Sequence, residues 1–254
     1  LFSFFCLLTA LSLVSSEIPT ITVYTESYCG GCIDFEVKQF GPLAANPSKD
    51  QLAKVEFVYY GNEHEEEGSK EGARKFNCQH GEKECFGNKV ENCYQNLFSE
   101  SQSEEFTLCA GNQLEQAQFN IEFNQIVDAC VTNNEDKKKL NECSGSSQGD
   151  ELVHQAGSRT KKHHYVPYVL INGEHDWIKE WQLKNNLVKF LCKYNDLVGK
   201  VEGCPSNIAE ESFLETVVDV LEYFFFNNKC ENTEESLNKN LKKTEEASQK
   251  YVTS

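Results

Sequence analysis

Two cysteines separated by two glycines, Cys29-Gly30-Gly31-Cys32, are the residues in this chain best suited to do chemistry. At that spacing two sulfurs can close and reopen a disulfide with little backbone movement. They follow a β-type run, Ile21-Thr22-Val23-Tyr24-Thr25, and precede a segment with helical character, Ile33 to Phe40. A helix N-terminus presents unpaired N–H groups and a partial positive charge, and both favour a thiolate over a thiol. The thiolate is the species that attacks a disulfide. Cys29 is therefore read as the nucleophile and Cys32 as the resolving thiol. Two other readings compete. An inert structural bridge is one. Zinc is the other, but structural zinc needs four ligands, and no second C-x-x-C or nearby H-x3-H supplies the rest.

The elements that must position this pair can be read along the chain. Residues 20–26 form a first strand, about 31–44 a helix closed by Pro42 and Pro47, and Lys54 to Tyr60 a second strand. Residues 62–76 are acidic and read as a solvated face. Residues 78–143 carry six cysteines with helical stretches between them, such as Leu114 to Val131, and 148–160 read as a further helix. Tyr165-Val166-Pro167-Tyr168-Val169-Leu170-Ile171-Asn172-Gly173 reads as a strand that begins at a proline and ends in a turn. His175 to Ile178 would complete a hairpin, and 180–194 an amphipathic helix. This order is the thioredoxin arrangement with an insertion at about 63–160. In such folds a cis-proline faces the redox pair, so Val166 and Pro167 are the expected substrate-binding residues, with the Val166–Pro167 bond cis. Lys161-Lys162-His163-His164 reads as a basic loop, either solvated or at the rim of the site.

The spacing Cys78-Gln79-His80-Gly81-x-x-Glu84-Cys85-x-x-Asn88-x-x-x-x-Cys93 resembles the signature of the gamma-interferon-inducible lysosomal thiol reductase family, with every fixed position present. The resemblance covers roughly residues 20–205. It implies an α/β, thioredoxin-like fold with a cysteine-rich helical insertion, no bound cofactor or metal, and reduction of disulfides in protein substrates with an external thiol as reductant. It places the redox pair on Cys29 and Cys32 and the proline strand on Val166-Pro167. Cys109, Cys130, Cys143, Cys192 and Cys204 also resemble family positions. With Cys78, Cys85 and Cys93 they make eight candidates for structural disulfides, open to 105 pairings. His80 is read as a local hydrogen-bonding side chain or a group that tunes a thiol.

Bulk composition narrows the class. A net charge of −16 argues against nucleic acid as a partner. Twelve cysteines point to an oxidising route. The apolar run Leu1 to Leu11, followed by Val14-Ser15-Ser16, reads as a secretory signal peptide over 1–16, so the protein is expected to enter the secretory pathway; the family resemblance implies a lysosome or endosome, with secretion from the cell as the other destination. No other run is apolar enough for a membrane span. The thiol reductase domain is expected over 17–205. Residues 206–254 read as a C-terminal helical extension and charged tail, with Phe213, Val217, Leu221 and Phe224 on one helical stripe. That helix, or the odd cysteine Cys230, would be the route to a protein partner. A second hypothesis is therefore an assembly subunit with little catalytic activity. A third is an oxidase or isomerase using the same pair.

Overall fold

The computed structural model describes residues 18–207 apart from 69, 71 and 73. The expected signal peptide, Cys6, the stripe from Phe213 to Phe224 and Cys230 lie outside the described residues.

The architecture is α/β. Its centre is a three-stranded sheet ordered β2-β1-β5: β1 (Thr20–Thr25), β2 (Lys54–Tyr59) and β5 (Tyr168–Ile171). β1 pairs parallel with β2, Thr20 opposite Lys54 through Thr25 opposite Tyr59, and antiparallel with β5, Val23 opposite Val169. A parallel pair needs a crossover. It is supplied by α1 (Gly30–Phe35), a π-helical turn (Glu36–Phe40), α2 (Gly41–Ala44) and α3 (Lys49–Leu52).

The strands alternate as a sheet buried on both faces requires. Ile21, Val23, Val55, Phe57, Val169 and Ile171 pack into one core with Phe40, Leu43, Leu183, Leu187 and Leu191. Tyr24, Val58 and Leu170 face the other way, onto Ala156.

Between β2 and β5 lie a two-stranded ribbon, β3 (His64–Glu65) with β4 (Phe76–Asn77), and five helices: α4 (Glu82–Leu97), α5 (Glu100–Gln116), α6 (Phe123–Cys130), α7 (Asn134–Ser144) and α8 (Ser147–Arg159). The helices enclose a second core that includes Val90, Phe106, Leu114, Phe123, Ile126 and Leu140. Their starts carry the expected chemistry. Ser99 and Gln102 form a reciprocal capping box, and Asn133 and Ser146 accept from first-turn amides.

Four bridges use all eight candidate cysteines. Cys93–Cys143 ties α4 to α7, Cys109–Cys130 ties α5 to α6, Cys78–Cys85 closes the turn before α4, and Cys192–Cys204 ties the end of the described chain to a later helix. Closing the 50-residue separation of Cys93–Cys143 restrains the unfolded chain by on the order of 4 kcal/mol on the chain-entropy account.

Several expected boundaries are corrected. The first helix starts at Gly30 and passes through a π turn, and Pro42 sits inside α2 rather than ending the helix. A helix expected from Leu114 to Val131 is instead the end of α5 and the separate α6, broken where Gln118 and Phe119 take positive φ of 49° and 61°. The expected hairpin strand at His175–Ile178 does not form. A single bridge joins Ile171 to Glu174, and then Asp176 accepts from the Ile178 and Lys179 amides and starts α9 (Trp177–Asn185). The helix expected over 180–194 is split at Asn186, which caps α10 (Leu187–Tyr194) by accepting from Lys189 N–H. In the supposedly solvated acidic stretch, Glu63 is buried, and Glu65 pairs with Arg74 and His154.

Candidate active site

Cys29 occupies the N-cap of α1, in extended conformation at φ −78°, ψ 117°, with no side chain capping the first turn and no acidic residue in it. The chain reaches this point through Tyr28, an aromatic residue at φ 66°. That region is costly for a bulky side chain, by about 1–3 kcal/mol, and persists only where the surroundings fix it. Here they do. Tyr28 Oη donates to Ile121 C=O at 2.7 Å, the ring tilts against Phe123, and Lys83 Nζ lies 4.4 Å from its centroid. The insertion therefore sets the angle at which β1 turns into α1. A second tie is the bond from Ser27 N–H to Asn88 Oδ1 on α4, 2.8 Å.

The Val166–Pro167 bond is cis and lies against the cysteine pair. Val166 C=O is 4.0 Å from Cys29 Sγ, and a Cβ placed on Gly31 would lie 3.4 Å from Pro167 Cδ. Cys29, Cys32 and Val166 form a small buried cluster. Sequence separation between the pair and the proline is thus closed by the fold. The segment around Pro167 is held by Glu180, a residue that sequence reasoning missed. Its buried carboxylate accepts from Val169 N–H at 2.9 Å and from Tyr165 Oη, and it meets Lys184 at 3.0 Å and His175 Nε2 at 2.8 Å. Burial alone would raise its pKa, but Lys184, His175 and Tyr165 outweigh that and bring it down to about 2.

The two cysteines differ in state. Cys32 is a free, buried thiol. Cys29 is disulfide-bonded, but not to Cys32. The pair is therefore not closed on itself. Burial pushes the Cys32 thiol well above its ordinary value, and the carboxylate of Glu26 adds to the rise. Hydrogen bonding from the Thr25 side chain and the Glu26 backbone opposes it, while Glu36 adds a smaller upward push. Cys32 thus keeps its proton until a base takes it.

The basic loop is tied elsewhere. Lys161 Nζ donates to Gly173 C=O at 2.6 Å, and His163 lies against the rings of Tyr24 and Tyr168. His80, in contrast, is drawn in beside the pair's approach strand. Its Nδ1 is hydrogen-bonded to Glu84 and lies 3.7 Å from Glu26 Oε1.

Two groupings of ligand-type atoms fall within 4.8 Å among the described residues: Glu63 with Cys78 and Cys85, and Glu26 with His80 and Glu84. The first has its sulfurs tied in a disulfide. In the second, Glu84 already holds the histidine nitrogen. Neither brings the four ligands of a structural zinc.

Comparison with known proteins places these features in context. A family model described as "Gamma interferon inducible lysosomal thiol reductase (GILT)" matches residues 20–145. The gamma-interferon-inducible lysosomal thiol reductase of Carassius auratus is 32% identical over 181 residues, covering 68% of this chain and 67% of that protein. The protein of the same name from Mus musculus is 28% identical over 205 residues, covering 79% and 77%. GILT-like protein 1 of Drosophila melanogaster is 27% identical over 206 residues, covering 74% and 79%.

Proposed function

The chain belongs to the gamma interferon inducible lysosomal thiol reductase family, and on that premise we propose that Cys29 and Cys32 are its redox pair, acting on protein disulfides against the cis Val166–Pro167 peptide. The protein is an oxidoreductase of the thiol reductase type. The observation that carries the assignment is the juxtaposition of a C-x-x-C at a strand-to-helix turn with a cis-prolyl bond 135 residues downstream of Cys32 (32 to 167). A thioredoxin-like arrangement of β1, α1, β2 and β5 supports the same reading.

In the proposed cycle the Cys29 thiolate attacks one sulfur of a substrate disulfide. A Cys29–substrate bond forms, the substrate bond breaks, and the departing sulfur takes a proton. Cys32 then loses its proton and attacks Cys29 Sγ, releasing the second substrate sulfur and leaving a Cys29–Cys32 disulfide. An external thiol reduces that bridge.

The compartment is read as acidic and endolysosomal, in line with the lysosomal thiol reductases of Carassius auratus and Mus musculus to which the chain is similar. Among the described residues no helix is long and apolar enough to cross a membrane. The test is reduction of insulin disulfides at acidic and neutral pH by wild type and by Cys29→Ser. Wild type is expected to reduce insulin and the variant to fall to the uncatalysed background. Equal rates would remove Cys29 from the chemistry.

A further inference from the structure

Behind Cys32 lies a set of carboxyl groups that the exchange steps above leave unused. Glu26 follows β1, is fully buried, and accepts from Asn62 N–H through Oε2 at 2.8 Å. Its other oxygen, Oε1, has no hydrogen-bond partner among the described residues and lies 3.7 Å from His80 Nδ1. The loop that seals it in needs a glycine. Gly61 has φ +53°, and a Cβ there would fall 2.4 Å from Glu26 Oε2. His80 is anchored by Glu84, whose Oε2 accepts from both the His80 backbone N–H, at 2.8 Å, and Nδ1. Glu84 is also fully buried, with Oε1 unpartnered among the described residues. The Cys78–Cys85 bridge clamps the turn that carries His80. The His80 side chain is 31% exposed, so the cluster opens to water at that end. At the other end the Glu26 backbone bonds to the Cys32 sulfur, and the Glu26 carboxyl is the strongest neighbouring charge acting on it.

We propose that Glu26 donates a proton to, and accepts one from, the Cys32 sulfur, and that His80, held by Glu84, passes that proton between Glu26 and solvent. The proposal rests on the reading of Cys29 and Cys32 as the redox pair. Its clearest consequence lies in regeneration. A small-thiol reductant attacks Cys29 Sγ as the thiolate, a reductant–Cys29 bond forms, and the Cys29–Cys32 bond breaks with its electron pair going to Cys32. The proton on Glu26 moves to that sulfur, and the carboxylate is reprotonated through the His80 imidazolium. A second thiolate then displaces Cys29 and leaves as the oxidised reductant. In the opposite direction Glu26 accepts the Cys32 proton.

The surroundings suit a carrier that holds its proton in acid. Burial, and then Glu84, raise the Glu26 pKa to about 7, against the lowering pull of Asn62 and His80. Glu84 raises that of His80. Glu63 acts on Glu26 and Glu84 from beside this group, with Lys83 and Lys89 acting on its edges, and Glu36 also acts on Cys32.

The test is reduction of the oxidised full-length protein by dithiothreitol. The Cys29–Cys32 bridge is located by peptide mapping, and the rate is expressed per thiolate of reductant. In wild type this rate is expected to fall as pH rises through about 7. Glu26→Gln keeps an acceptor for Asn62. It is expected to be about a hundredfold slower at low pH, the lower end of general acid catalysis, and to lose that pH dependence. His80→Asn, at a part-exposed position, is expected to slow the same step in acid while Cys29 still alkylates normally, and it gives the answer if Glu26→Gln does not fold. Wild-type rates and pH profile in the folded variants would overturn the relay and leave the redox pair standing. A map without the Cys29–Cys32 bridge would remove both.

Discussion

Cys32→Ser is expected to turn the protein from a catalyst into a trap. With Cys29 intact, the first displacement still occurs and a substrate becomes bonded to Cys29. The thiol that would release it is gone, so turnover falls by at least about a thousandfold, as expected when one member of a concerted pair is removed, while a covalent adduct accumulates. Cys29→Ser should lose turnover without gaining an adduct. Non-reducing electrophoresis with peptide mapping reads both. The difference follows from position. Both sulfurs are buried, but Cys29 sits at the uncapped start of α1 beside Val166 C=O, whereas Cys32 lies one turn inside the helix with Glu26 and Glu36 disfavouring its thiolate. An adduct on Cys32 in Cys29→Ser, with none on Cys29 in Cys32→Ser, would reverse the roles.

Acid should stabilise this fold. Glu36 and Glu91 are buried, and burial raises Glu36 to about 8 and Glu91 well above the carboxylate range. Burial likewise raises Glu63 to about 8 and Glu26 to about 7. Each folded pKa exceeds the value of about 4.3 in an unfolded chain. The folded state therefore keeps protons that the unfolded state loses as pH rises above that value. Stability falls with rising pH by up to about 1.4 kcal/mol per unit for each such group, until the folded carboxyl itself ionises at about 7 to 8. His80, raised by Glu84, works in the same direction. Three groups oppose the trend. Glu180, lowered to about 2, and Glu65, lowered by His154 and Arg74, lose their contributions as pH falls below the ordinary carboxylate value, and His163, lowered by burial, loses its contribution as pH falls through the ordinary histidine range. Stability should thus peak in mild acid. The urea midpoint is expected to be higher at about pH 5 than at about pH 8, and Glu36→Gln with Glu91→Gln should flatten the difference. A midpoint that rises from acid to alkali would contradict the assignment of these carboxyls as buried acids.

What could be read from the sequence divides along physical lines. β1, β2 and β5 alternate or run apolar with β-branched residues, so their existence was legible. So were the C-x-x-C at the strand end and the prolyl dipeptide, because both are local patterns. The pairing of the eight bridged cysteines was not, since it depends on which helices meet. The break at Asn186 and the start of α9 at Asp176 came from single side chains that bond to nearby amides, a local competition that outweighs hydrophobic periodicity. Least legible was the cluster behind Cys32. Glu26, Glu63 and Glu84 have the composition of a solvated face, and their burial arises only when residues from three separate stretches close on one another around Asn62, His80 and Asn88. Signature residues such as His80 and Glu84 could be recognised as a pattern, but their placement against Glu26 could not.

The most direct measurement of the central claim is the alkylation rate of Cys29 against pH in the reduced protein, followed by peptide mapping. A thiol at the uncapped start of α1, with no acidic residue in the first turn, is expected to titrate clearly below the value of about 8.5 for free cysteine and to remain reactive in mild acid, while Cys32 stays unmodified. A Cys29 that titrates at about 8.5 or above, or a Cys32 that reacts first, would contradict it.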